Sequence, residues 1–166
     1  MSAAAHTDAL KRSRPRAYLS RRYHFSASHR LHTDSLTAEQ NQNAYGKCNN
    51  PHGHGHNYIV EVTFAGAVDP ATGMVCDLAA LDSFSQTNLL AVFDHINLNT
   101  LAAFRDRVPT TENLTIELAR IFQQFSLAEL TRVRVEETGN NSFEYALRAT
   151  PSPAALHTPT TKGQPL

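Results

Sequence analysis

A chain of 166 residues, 41% of them hydrophobic, can bury one core of ordinary size and favours a single domain over two. Its 15 basic and 15 acidic residues cancel, which excludes the global basic field expected of a protein that binds nucleic acid or an anionic membrane. Without a hydrophobic signal segment or a long apolar run, we expect a cytoplasmic protein with reduced Cys48 and Cys76, the alternative being a disulfide between them.

Both ends of the chain are predicted to lie outside the folded domain. Residues 1–16 mix small and basic residues without periodicity, which is typical of a mobile arm. Residues 150–166 hold several prolines among Thr, Ser and Gly, a composition that predicts a disordered tail. The folded domain is therefore expected to span residues 17–149.

The first predicted element of that domain is a strand that ends in a histidine. If the segment is extended, Tyr23, Phe25 and His29 share one face, and that face is apolar up to the histidine. We therefore expect His29 to point toward the core. The next segment, residues 32–47, is polar and lacks periodicity, so it is interpreted as a long loop that leads to Cys48.

The second predicted strand begins with histidines instead of ending with one. From His54 onward the alternation resumes, with His56, Tyr58 and Val60 on the same face. Two histidines therefore extend a second apolar row. A turn rich in Asp, Pro and Gly follows, and the leucine spacing beyond it predicts a helix over about 77–92.

The remaining elements are a second helix and a hairpin. Pro109 precedes a helix that Thr110 or Thr111 can cap, with Glu112 well placed in its first turn. Two strands then flank a Gly-Asn-Asn turn, and Glu137 continues the buried row of the first of them. The predicted order is ββααββ, an α+β fold.

Three of the nine histidines are placed to bind one metal ion. His54 and His56 are two residues apart on one strand and project to the same side, while His29 supplies a third ligand from the neighbouring strand. Zinc takes imidazole nitrogens, and a catalytic zinc site has three protein ligands and an open position. Solvated or hydrogen-bonded histidines are the alternative.

Two further groups could take part in chemistry at such a site. Cys48 beside a divalent cation is expected to have a lowered pKa and to act as a base, nucleophile or ligand. A buried structural thiol, or the fourth ligand of a closed structural zinc site, is the alternative. Asp94 and His95 could form a proton relay, although an adjacent pair at the end of a helix can equally have no chemical role.

Six segments resemble the 6-pyruvoyl-tetrahydropterin synthase family in order and spacing: Phe25–Leu31, Gly46–Tyr58, Asp69–Val75, Asp94–His95, Thr110–Asn113 and Glu137–Thr138. The resemblance covers nearly all of residues 22–147. It implies a T-fold subunit, with an antiparallel sheet and two helices on one face. It also implies trimeric barrels that stack into a homohexamer, a dimer of trimers with active sites between subunits.

The resemblance also implies roles for the residues found above. His29, His54 and His56 match the ligands of Zn2+, and Cys48 matches the catalytic thiol. The rest of the implied site consists of Asp94 and His95 as the relay, Glu137 as the anchor of the pterin, and Thr110, Thr111 and Glu112 as the rest of the pterin pocket. The implied substrate is 7,8-dihydroneopterin triphosphate. Lys47 and Arg30 are local candidates for binding its triphosphate, and ordinary surface charges are the alternative.

The gap between the cysteine and the histidine pair bears on the product. Five residues, 49–53, lie between Cys48 and His54. The related 6-carboxy-tetrahydropterin synthases of queuosine biosynthesis typically have a shorter gap, so the spacing favours a lyase that forms 6-pyruvoyl-tetrahydropterin and releases triphosphate. The 6-carboxy product, formed with release of acetaldehyde, is the alternative. A non-catalytic zinc-stabilised oligomer and a cysteine hydrolase that uses Cys48 and His95 are more remote alternatives.

Overall fold

A five-stranded mixed sheet forms the centre of the computed structural model, which describes residues 15–147. The strands are β1 (Arg16–His29), β2 (His54–Ala67), β3 (Ile96–Asn97), β4 (Glu129–Glu136) and β5 (Ser142–Ala146). Their order is β3-β1-β2-β4-β5, and every neighbouring pair is antiparallel except β3 and β1. The predicted α+β class is confirmed, with β3 as an additional short strand. The predicted terminal arm and tail fall almost entirely outside the described residues.

The helices are α1 (Ala38–Tyr45), α2 (Leu78–Ser85), α3 (Ala91–Phe93) and α4 (Thr111–Phe122). Asp77 caps α2, which passes through a wider turn over Gln86–Leu90 into α3, so the predicted helix over 77–92 is interrupted near its middle. Thr110 caps α4 as expected, because its side chain accepts the backbone N–H of Asn113. No helix of the described part is long and apolar enough to cross a membrane.

The hydrophobic core lies between one face of the sheet and helices α2 and α4. On β2, Tyr58, Val60, Val62 and Phe64 are fully buried, as the alternating pattern predicted. The ring of Phe122 in α4 lies 5.7 Å from that of Phe84 in α2 and 6.5 Å from that of Phe64. Burial of each large apolar side chain stabilises the fold by about 1.5–3 kcal/mol. The predicted orientation of His29 is confirmed, since it is 1% exposed in the same face of β1.

The loop predicted over residues 32–47 is wrong, because α1 lies within it. The helix begins with a capping box in which Thr37 and Gln40 each accept the backbone N–H of the other. Its one buried residue is polar: the Asn41 side chain donates to the carbonyls of Thr33 and Leu36 and accepts the N–H of Thr33. A capping box and a buried amide hold α1 in place, and the helix has no apolar stripe. Hydrophobic periodicity therefore did not reveal it in the sequence.

Candidate metal and substrate site

Three imidazoles meet where β1 and β2 pair at one end of the sheet. The register places His29 opposite His54 and Ala27 opposite His56, so all three side chains project from one face. Their ring centroids are 4.8, 5.1 and 4.7 Å apart for the pairs 29–54, 29–56 and 54–56. One ligand atom from each lies within 4.8 Å of the others. The predicted trio is therefore assembled by strand pairing alone.

The distances between the ring nitrogens fit a shared metal ion. The two Nε2 atoms of His29 and His54 are 3.3 Å apart. Two zinc–nitrogen bonds of about 2.0–2.1 Å at a tetrahedral angle would separate their nitrogens by roughly 3.4 Å. Nε2 of His56 is buried without a hydrogen-bond partner among the described residues. A cation would therefore satisfy a buried polar atom that the protein leaves unpaired.

The surroundings orient His29 and disfavour protonation of His29 and His56. Nδ1 of His29 lies 2.9 Å from the carbonyl oxygen of Pro109, which can only accept, so Nδ1 carries the proton and the lone pair is on Nε2. The Tyr58 hydroxyl lies 3.4 Å from the same Nδ1. Burial lowers the pKa of His29 and of His56, which favours the unprotonated form that a metal requires.

Glu137 brings a carboxylate to the edge of the histidine trio. It directly follows β4, and its Oε1 accepts a hydrogen bond of 2.5 Å from the hydroxyl of Thr111 at the start of α4. The same oxygen lies 3.9 Å from Nε2 of His29 and 3.8 Å from Nε2 of His56. The side chain is 15% exposed. A hydrogen-bond acceptor and a metal-binding group therefore share one pocket.

Cys48 lies in a 3-10 turn, Gly46–Asn49, beside the same pocket. Its carbonyl accepts the N–H of Leu31 at 2.8 Å, which ties this turn to the end of β1. Burial, and then the negative charge of Glu137, raise the pKa of the Cys48 thiol. The protein's own groups thus favour the neutral thiol, and the lowered pKa expected from the sequence depends on a cation in the site.

Asp94 and His95 form a hydrogen-bonded pair, and His95 lines one cavity together with His56 of the trio. Nδ1 of His95 is 2.9 Å from Asp94 Oδ2, and the other Asp94 oxygen accepts the N–H of Ser26 on β1. That backbone bond, and then His95, lower the pKa of Asp94. His95 has a positive φ of 58° and is 80% exposed. Within residues 15–147, no hydrogen bond or ion pair joins this pair to Cys48 or the three histidines.

The remaining predicted site residues lie at the start of α4 and have different surroundings. Thr111 contacts Glu137, Thr110 caps the helix, and Glu112 is exposed in the first turn. Two groups at the site were not predicted. Tyr58 could have been recognised because it follows His54 and His56 in the same alternating row. The Pro109 carbonyl could not, since no side-chain pattern marks it.

Comparisons with known proteins agree with this geometry. Residues 18–148 match the family model described as 6-pyruvoyl tetrahydropterin synthase. The chain is 46% identical over 134 residues to the 6-pyruvoyl tetrahydrobiopterin synthase of Homo sapiens, covering 80% of this chain and 92% of the relative. For the Drosophila melanogaster protein of that name, identity is 42% over 134 residues, covering 79% and 80%. The structure of Caenorhabditis elegans 6-pyruvoyl tetrahydropterin synthase gives a TM-score of 0.76 at 39% identity, covering 80% of this chain and 96% of that one.

Proposed function

The chain belongs to the 6-pyruvoyl tetrahydropterin synthase family, and from that premise we propose that it is a lyase. It converts 7,8-dihydroneopterin triphosphate to 6-pyruvoyl-tetrahydropterin and releases triphosphate. The observation that carries the proposal is the position of Glu137 Oε1, within 4 Å of Nε2 in both His29 and His56. A pterin anchored by Glu137 would extend its side chain past the histidine trio.

We propose that His29, His54 and His56 hold Zn2+. When bound, the ion supplies Lewis-acid stabilisation of negative charge on the oxygens of the substrate side chain. The chain's own groups prepare the site for it, because the Pro109 carbonyl orients His29 and burial lowers the pKa of His29 and His56. Without the metal, Nε2 of His56 has no hydrogen-bond partner among the described residues.

Glu137 is proposed to recognise the pterin ring. The 2-amino group and a ring N–H of a pterin are parallel donors, which suit a carboxylate that accepts two hydrogen bonds. The Thr111 hydroxyl occupies one acceptor direction on Oε1 and so fixes the carboxylate plane. Thr110 and Glu112, on either side of Thr111 in sequence, are proposed to complete the pocket.

Cys48 is proposed to be the base that removes protons from the side-chain carbons. Loss of a proton next to the carbon that bears the leaving group lets the C–O bond break, and its electron pair departs with the triphosphate oxygen. The two side-chain hydroxyl carbons become carbonyls while the dihydropterin ring gains two hydrogens. The redox change is therefore internal and needs no nicotinamide.

The position of the Asp94–His95 pair supports an assembly in which subunits share sites. One subunit holds His95 at its surface with no described contact to its own Cys48. We propose that this pair moves protons at the Cys48 of a neighbouring subunit in a homohexamer, a dimer of trimers. Two sheet edges are available for such assembly, because β1 pairs on its outer side only at Ala27 and Ser28 and β5 lies at the opposite edge.

Product analysis tests the proposal. Zinc-loaded protein is incubated with 7,8-dihydroneopterin triphosphate, and the products are identified by mass spectrometry. We expect triphosphate and 6-pyruvoyl-tetrahydropterin. Acetaldehyde with a 6-carboxy pterin would instead assign the related 6-carboxy activity. The Cys48→Ala variant should keep its zinc and lose turnover, whereas loss of zinc and folding together would indicate a structural site.

A further inference from the structure

The strongly anionic part of the proposed substrate has no assigned partner in the protein. In a chain whose formal charge is zero, a triphosphate must be bound by cations that are locally free of carboxylates. Residues 15–147 include ten arginines and lysines. Seven of them form ion pairs with carboxylates: Arg16, Arg21, Arg22, Arg107, Arg120, Arg132 and Arg134. In this part of the chain, Arg30, Lys47 and Arg105 have no such pair.

Arg30 directly follows a proposed metal ligand and is held by neutral acceptors. Its Nε lies 3.4 Å from the carbonyl oxygen of Asn49, and its Nη2 lies 3.3 Å from Nδ1 of His32. The Asn49 amide also donates to that nitrogen at 3.0 Å, so the His32 nitrogen acts as an acceptor. These contacts fix the guanidinium without neutralising it. Three of its five N–H groups remain available to an anion among the described residues.

Lys47 opens into the cavity that includes a histidine of the trio. The cavity has a volume of about 600 Å³, and its lining contains Lys47 and His54 but no carboxylate. Lys47 directly precedes Cys48, whose carbonyl accepts the N–H of the residue after Arg30. This backbone hydrogen bond joins Leu31 and Cys48. Arg30 and Lys47 directly precede these two residues, so both cations are anchored next to the proposed base.

Arg105 has different surroundings and serves as a comparison. It is exposed and lines a separate cavity together with Asp34 and Asp106. Two carboxylates in the lining oppose the binding of a polyanion. Arg105 thus has no ion pair among the described residues, but the carboxylates around it disfavour triphosphate, which makes it the matched control.

We propose that Arg30 and Lys47 bind the triphosphate of the substrate and stabilise it as it leaves. The proposal rests on the proposed function, in which Glu137 holds the pterin and the histidine trio faces the side chain. His54 of the trio lines the same cavity as Lys47, and the leaving group is placed in that cavity. When the C–O bond breaks, the electron pair goes to the departing oxygen, and these two cations offset the added negative charge.

The test compares two ligands that each represent half of the substrate. Binding of inorganic triphosphate and of 7,8-dihydroneopterin to the zinc-loaded full chain is measured by calorimetry for the wild type, Arg30→Gln, Lys47→Gln and Arg105→Gln. We expect each of the first two variants to raise the Kd for triphosphate about tenfold. Their Kd for dihydroneopterin should stay within about twofold of the wild type, which also shows that the pocket is folded, and Arg105→Gln should change neither.

Other outcomes would overturn the assignment. An equal loss of triphosphate affinity in Arg105→Gln would mean that only net charge matters, and unchanged affinity in Lys47→Gln and Arg30→Gln would exclude both cations. A parallel loss for dihydroneopterin would place them in the pterin pocket. Turnover by the wild type tests the proposed function separately, since the calorimetric comparison does not require catalysis.

Discussion

The hydrogen bond from Thr111 to Glu137 makes a specific prediction about pterin affinity. Thr111→Val keeps the shape of a side chain that is 3% exposed but removes the hydroxyl that donates to Glu137 Oε1 at 2.5 Å. Glu137 keeps both oxygens but loses the one side-chain hydrogen bond that orients it among the described residues, and with it the alignment toward the two donors of the proposed pterin. The change isolates the orientation of the carboxylate from its presence.

The size of the effect follows from the kind of bond. A hydrogen bond to an ionised group contributes about 1.5–3 kcal/mol. Part of this will be regained when a freed carboxylate binds the ligand, so we take the lower end. A loss of about 1.4 kcal/mol corresponds to about a tenfold rise in the Kd for 7,8-dihydroneopterin.

The assay is calorimetric titration of zinc-loaded protein with dihydroneopterin, and Thr111→Ser is the matched control. Serine retains the hydroxyl and loses only a methyl group, so its Kd should stay within about threefold of the wild type. Thermal unfolding and zinc content establish that both variants are intact. Wild-type affinity in Thr111→Val, or an equal loss in Thr111→Ser, would refute the argument that the hydroxyl orients Glu137.

Three further predictions concern the metal, pH and the backbone. His54→Ala is expected to lower zinc content from about one ion per chain to a small fraction of that, measured by elemental analysis, because two imidazoles then remain; full zinc content would contradict the ligand assignment. Burial holds the folded pKa of His29 and His56 below the ordinary histidine value of 6.5, so the unfolded state binds more protons than the folded state as the pH falls through 6.5. The metal-free protein should therefore lose unfolding free energy as pH falls through 6.5 and gain none above it, and a urea midpoint equal at pH 5.5 and 7.5 would oppose this. Gly53→Ala should destabilise the fold by more than about 2 kcal/mol in urea titrations, because its φ is +68° and a Cβ would lie 2.7 Å from the His29 carbonyl oxygen. Gly73→Ala, with a similar φ of +72° but open space, should lose only about 1 kcal/mol, and equal losses would show that the close approach to His29 does not matter.

The sequence was informative where side-chain periodicity and function coincide. The period of two on β1 and β2 was enough to place His29, His54 and His56 on one face, because antiparallel pairing aligns such faces. It was not informative for α1, where the buried residue is Asn41 and stability comes from polar capping. The orientation of His29 by the Pro109 carbonyl was also beyond prediction, since it links backbone to side chain across 80 positions.

The charges around the site determine how the proposed metal ion and the proposed anionic substrate fit in it together. Burial disfavours a positive charge on His29 and His56, while the Glu137 carboxylate lies within 4 Å of both, so negative charge predominates beside these two imidazoles without a metal. Burial, and then that negative charge, raise the pKa of the Cys48 thiol, and the same charge would repel a triphosphate. A divalent cation at the trio would reverse the balance beside Cys48, and the proposed triphosphate ligands Arg30 and Lys47 add positive charge without a paired carboxylate among the described residues. In the proposed arrangement Glu137 accepts the ring while Arg30 and Lys47 bind the leaving group, so the full binding energy is expected only for a substrate that carries both parts.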